Sequence, residues 1–227
     1  MNKLLLSSAM ALALTGVANA GQETFIYQYG PAGALTKTNW TDTFNIQQFD
    51  TSLGVFQSAS ISYGGSVVTD FKLESLDAAP ATITANSAGQ LVFGGFISNT
   101  LAANATRTFN ATAYDGVLDF GGTSGVTFNG VTASAVGGPI SITTLAALNA
   151  DGLEGAGTDA LLVNAIGNSN ASGAGNLFGQ ISTSANAYVT VVYNYTPQTT
   201  TTVPEPASLA LLAAGIAAMG FRRKKPA

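Results

Sequence analysis

The side chains that could do chemistry in this chain are its carboxylates, because histidine and cysteine are both missing. None of the 227 residues is of either type. That removes the common general base, the Ser-His and Cys-His catalytic pairs, and the ordinary ligands of zinc and haem. It also removes disulfides, so stability must come from burial and hydrogen bonding. What remains is a pair of acids at the separation used in glycoside hydrolysis. Three pairs stand close enough in sequence: Asp70 with Glu74, Asp115 with Asp119, and Asp151 with Glu154. Each also reads as turn chemistry. Asp50, Asp77 and Asp151 fall at the ends of strand-like runs, and Asp115 and Asp151 precede Gly116 and Gly152. Asp side chains hold turns, and glycine supplies the backbone freedom a turn needs. The turn reading is the stronger, so no catalytic residue is assigned and the chain is not expected to be an enzyme.

Calcium is the one metal whose chemistry suits these segments, since it takes oxygen ligands from flexible loops. Asp151, Glu154 and Asp159 share one Gly-rich stretch, and Asp115 and Asp119 share another. Neither has EF-hand spacing or a Gly-Gly-x-Gly-x-Asp repeat. No cofactor is therefore expected; Asp151, Glu154 and Asp159 are the calcium candidates. Carbohydrate recognition would draw on exposed aromatics. Trp40 is the single tryptophan, and Tyr27 with Tyr29 and Tyr193 with Tyr195 are spaced by two. Such pairs share a strand face, and an ordinary sheet-face stripe explains them better than a binding platform.

The elements that must position these residues follow a period of two. Phe44 and Ile46 share a face, as do Ala59, Ile61 and Tyr63. The strongest strand is the run at 187–195, and others fall at 24–29, 43–49, 55–63, 67–73, 81–85, 91–93, 106–113, 125–133, 140–143 and 160–166. Gly64-Gly65, Gly94-Gly95, Gly121-Gly122, Asn129-Gly130, Gly137-Gly138-Pro139 and Asp151-Gly152 read as the turns between them. Asn129-Gly130 in particular has the form of a two-residue hairpin. Only 143–150 offers a helix, of one turn or two. Many short strands with this punctuation predict an all-β antiparallel sandwich, either jelly-roll or immunoglobulin-like.

The two ends are of a different kind. Lys3 is followed by an apolar run to Val17 and then Ala18-Asn19-Ala20, which has the n-region, h-region and A-x-A site of a secretory signal peptide over 1–20. Cleavage at Ala18 and Ala20 by signal peptidase, after passage through the Sec translocon, is expected to leave Gly21 first. At the other end Pro204-Glu205-Pro206 precedes an apolar run from Ala207 to Phe221, and Arg222, Arg223, Lys224 and Lys225 follow at once. The run of about 15 residues makes a helix of roughly 22 Å, short for a bilayer core unless its flanks snorkel. The basic cluster would stay on the cytoplasmic side and stop transfer. Two prolines around a glutamate hold an extended segment just outside the membrane. A Thr-rich stretch at 196–203 reads as a linker from the 21–195 body.

In this order the three parts at 204–227 resemble the PEP-CTERM sorting signal. The resemblance implies an exosortase as partner, cleavage near Pro204, Glu205 and Pro206, an inner-membrane-anchored precursor, and a mature form at the cell surface or outside the cell. It also implies bacteria that make exopolysaccharide and biofilm. The body, through Phe44 to Asp50, Tyr114 to Gly125 and the closing strand at 188–195, resembles the choice-of-anchor E domain, a family that brings no known activity.

With both ends set aside, three basic residues (Lys37, Lys72, Arg107) face eleven acids between Gly21 and Val203, a net charge of −8 against −4 for the whole chain. A body this acidic cannot neutralise phosphates, so nucleic acid is not an expected partner. The functional expectation is a structural or adhesive surface protein associated with exopolysaccharide. Two other functions compete with it: a carbohydrate-binding module and a carboxylate-based carbohydrate-active enzyme.

Overall fold

The computed structural model describes residues 20–29 and 34–198. Ala18 and most of the expected signal segment lie outside the described residues. So do Pro204, Glu205, Pro206, the second apolar run and Arg222, Arg223, Lys224 and Lys225. Among the described residues no helix is long and apolar enough to cross a membrane.

Ten strands of the described residues form two antiparallel sheets. In chain order they are β1 (Gly21–Gln28), β2 (Thr36–Lys37), β3 (Trp40–Gln47), β4 (Gly54–Ser75), β5 (Ala81–Gly94), β6 (Asn99–Ala111), β7 (Gly125–Ile142), β8 (Thr158–Gly167), β9 (Asn170–Ser172) and β10 (Leu177–Pro197). A short helix α1 (Leu145–Ala150) follows β7. One sheet runs β1-β10-β4-β7, with β2 beside β10; the other runs β3-β8-β5-β6, with β9 beside β5. If the eight long strands are lettered B to I in chain order, the sheets are BIDG and CHEF. That order is the jelly roll, and it decides between the two sandwiches the sequence allowed.

Alternation builds the core. Phe44 and Ile46 of β3, Ala59, Ile61 and Tyr63 of β4, Leu91 and Phe93 of β5, Leu161 and Val163 of β8, and Val189, Val191 and Tyr193 of β10 all point inward and are buried. A smaller second cluster joins Phe71, Leu73, Ile83, Ala85, Ala111 and Val131 at one end of the sandwich. The two sheets are pinned by phenol groups. Tyr193 Oη donates to Gln47 O (2.8 Å), and Gln47 N donates to Tyr27 Oη (2.6 Å), so two tyrosines of one sheet hold one residue's backbone in the other. Asn99 Nδ2 donates to Tyr63 Oη (2.8 Å) at the opposite side.

Three expected turns are not turns. Gly64-Gly65 lies in the middle of the 22-residue strand β4. A Cβ on Gly65 would run into Asn186 O and the Leu91 side chain, and one on Gly64 into Ala135 O. These glycines let neighbouring strands and the facing sheet close in. Asn129-Gly130 and Gly138-Pro139 are β-bulges inside β7. Each puts two β7 residues opposite one of β4, Asp70 in the first case and Ser62 in the second. Gly130 has φ 65, and its N–H donates to Asp70 Oδ1 (2.7 Å). The helix at 143–150 forms as expected, with Thr144 Oγ1 accepting from Ala147 N as its N-cap. Strand β10 runs two residues past Tyr195, so Thr196 and Pro197 pair with Val55 and Gly54.

Candidate functional site

Of the acids singled out by sequence, Glu74, Asp77, Asp115 and Asp119 gather at the end of the sandwich that holds the smaller cluster. Three segments knot together there: 74–77 at the end of β4, 112–124 between β6 and β7, and 173–177 at the start of β10. Glu74 is fully buried. Its Oε2 accepts from Phe120 N (2.8 Å) and its Oε1 from Ser124 Oγ (2.6 Å). A buried carboxylate needs such donors, and here a loop some fifty residues downstream supplies them.

The register says where this happens. Glu74 lies opposite Phe178 of β10 and Gly125 of β7. Opposed residues project to the same face, and Phe178 is 44% exposed while Leu177 packs against the smaller cluster. That face is the outside of the sheet. The 112–124 loop therefore folds down over it and seals the carboxylate beneath. Gly125 is required, because a Cβ there would strike Glu74 Oε2. Phe120 takes φ 58 to enter this geometry, and its ring stacks on Phe178 at 5.9 Å. Val117 and Leu118 stand at the tip, 55% and 48% exposed.

The other acids here make turns. Asp77 accepts from Gly175 N (2.7 Å) and Asn176 N (2.8 Å), and its own carbonyl accepts from Tyr114 N (2.9 Å). Asp115 Oδ1 accepts from Val117 N and Asp119 Oδ1 from Gly121 N, two residues on in each case. Asp70 and Glu74 sit on the same outer face four residues apart, about 13 Å at the rise of a strand, wider than glycosidase pairs use.

The second loop behaves alike. Asp151 ends α1, Glu154 Oε2 accepts from Asn149 Nδ2 (2.7 Å), and Asp159 lies beside Gly152. Asp151, Glu154 and Asp159 are not brought together: among the described residues no group of three acids is placed to hold a metal. A shallow cleft of about 450 Å³ lies beside Glu154, lined by Leu145, Ala146, Asn149 and Ala150.

Trp40 is a core residue, as the sheet-face reading had it, and not a carbohydrate platform. It is only 8% exposed, stacked against Tyr29 at 3.7 Å and 11°. It starts β3 on the inward face. Tyr193 is likewise fully buried, among Phe25 and Phe49. Burial raises the pKa of the Tyr193 phenol, with the neighbouring charges of Tyr27 and Glu23 adding to it; burial also raises that of Tyr27, against the pull of the Gln47 N–H bond. What sequence reasoning missed is the joint role of Glu74, Ser124, Phe120 and Phe178.

Residues 202–224 match the family of the PEP-CTERM protein-sorting motif. The match covers the tail and not the body. No curated protein matches the chain. Among solved structures, the VP2 subviral particle of infectious bursal disease virus is similar at 17% identity over 84% of this chain and 42% of the viral one, with TM-score 0.17. The Gx strain of that virus gives 15% identity over 78% and 37%, with TM-score 0.18. The chain thus spans less than half the length of these viral chains. At such scores neither likeness bears on the fold, which rests on the strand pairing alone.

Proposed function

We propose that this protein is an exosortase-processed surface or matrix protein whose jelly-roll body works by display and contact, without catalysis and without a cofactor. The observation that carries the reading is the PEP-CTERM match at 202–224, which implies an exported, membrane-anchored precursor and an exosortase partner. An adhesive role in exopolysaccharide or biofilm is the finer part of the proposal. It is supported by the acidic, Cys-free and His-free body and by carboxylates occupied in holding turns and loops. The likeness of the body to choice-of-anchor E domains is part of the same reading and stands on the residues alone.

Mass spectrometry of the mature protein tests the sorting step. The expected result is a last peptide ending near Pro204 to Pro206. A mature form whose peptides run intact through Phe221 overturns exosortase processing. A second reading, a carbohydrate-binding module, has one observation in its favour: the stacked, partly exposed pair Phe120 and Phe178. Retention on purified exopolysaccharide that is lost in Phe178→Ala supports it; no retention of the unaltered protein removes it.

A further inference from the structure

Four long strands end the two sheets, β1 and β7 in one and β3 and β6 in the other, with the short β2 and β9 beside β10 and β5. An edge strand presents unpaired N–H and C=O groups, and a charge on it is a common device against pairing with another chain. Three of the four carry one: Glu23 in β1, Asp42 in β3 and Arg107 in β6. Strand β7 carries none in its 18 residues. Its two bulges divide it and leave one regular, flat stretch between them, Val131-Thr132-Ala133-Ser134-Ala135-Val136-Gly137.

The direction of the peptide groups in this stretch can be read from its partner. Ala135 O faces β4, close to Gly64. By alternation the N–H and C=O of Thr132, Ser134 and Val136 face out of the sheet. Among the described residues none of these three makes a backbone bond beyond its pairing with β4. Thr132 and Ser134 are exposed, and Val136 is 69% exposed.

We infer that this stretch is a self-association edge, and that its partner is the same stretch of a second copy, running antiparallel about a two-fold axis through Ser134. In that register Ser134 meets Ser134 and Thr132 meets Val136, while Ala133 meets Ala135 and Val131 meets Gly137. No charge is opposed to a like charge, and no large side chain to another. That matters in a body of net charge −8, where acids outnumber basic residues eleven to three. The three outward-facing residues of each copy form roughly six backbone hydrogen bonds, and the β1-β10-β4-β7 sheet continues across the dimer. The rim of β10 at 177–183 is also free of charge, but it is no longer than this stretch, and Leu177 turns into the core.

The chain contains no cysteine, so a single introduced one reports cleanly. The full chain in detergent should sediment as a dimer and Ser134→Lys as a monomer with unchanged circular dichroism. Thr132→Lys should do the same if Ser134→Lys fails to fold. Ser134→Cys should be captured as a covalent dimer by a short thiol-to-thiol cross-linker. Ser141→Cys, whose copies would lie roughly 45 Å apart at the strand rise, should be captured at least about tenfold less. A monomeric unaltered chain overturns the inference, whether it has no partner or takes a strand from a different protein. So does a dimer that survives both lysine variants, which would place association in the apolar tail. Equal cross-linking at Ser134 and Ser141 overturns the register. None of these outcomes depends on exosortase cleavage.

Discussion

Two regions of the described residues set polar side chains to different uses. At the loop end a carboxylate, Glu74, is sealed against the outside of one sheet by the 112–124 loop, through Phe120 N and Ser124 Oγ. In the main core two phenols, Tyr27 and Tyr193, grip the Gln47 backbone and join one sheet to the other. The carboxyl group orders a loop on the outer face of one sheet. The neutral phenols cross from one sheet to the other, where an unpaired charge would be costly. The contrast teaches that acids in this protein tie loops to strands, while the ties from one sheet to the other are made of neutral groups.

That contrast can be broken at its charged side first. Glu74→Ala leaves the Phe120 N–H and the Ser124 hydroxyl without their acceptor under a closed loop, and should cost about 3 kcal/mol in a urea unfolding curve. Proteolysis should then cut first within 112–124. A loss below about 0.5 kcal/mol would mean that the loop holds itself. Gly125→Ala approaches the same site from the other direction, since its Cβ displaces the Glu74 carboxylate, and should cost about 2 kcal/mol by crowding.

The neutral side should give a smaller effect with its own pH signature. Tyr193→Phe keeps the ring and loses the bond to Gln47 O, worth about 1 kcal/mol. Burial raises both phenols' pKa values. Their contribution is therefore complete below the unfolded value of about 10 and is lost as pH rises beyond it. The unaltered protein should lose thermal stability in that alkaline range, and Tyr193→Phe should flatten the loss. An identical alkaline profile in both would remove the phenols from the account.

The smallest effect is expected at Asp50, which accepts from Ser52 N (2.8 Å) at the start of the 3-10 turn Thr51–Leu53. That backbone bond, then the Ser52 side chain, lowers its pKa. Its stabilisation is present above about pH 4 and is lost as pH falls through the lowered value. Asp50→Asn should leave neutral stability almost unchanged and shift only the acid limb of a melting-temperature profile.

Much of the architecture was legible because burial alternates along a strand. Phe44 with Ile46, and Ala59 with Ile61 and Tyr63, face inward as their spacing implies. Turn residues were less reliable guides. Asn129-Gly130 and Gly137-Gly138-Pro139 carry the chemistry of a chain reversal, but a bulge needs the same backbone freedom. The choice between the two depends on whether a partner strand continues past the site, as β4 does here. The acids read as turn formers from their neighbours alone, and Asp115 and Asp119 act as such. Glu74 did not stand out, because its donors lie at 120 and 124, and no local pattern links residues so far apart.

By itself, the sequence determined the sorting tail, whose recognition depends on contiguous residues, and the absence of His and Cys chemistry, which is a matter of composition. It also determined which face of each strand is apolar, since a two-residue period is a local property. Only the tertiary structure decided the jelly-roll order, the burial of Trp40 and the sealing of Glu74. It alone showed that β7 ends its sheet uncharged. These depend on which strands become neighbours, and neighbours are chosen by the packing of the whole chain rather than by any one segment.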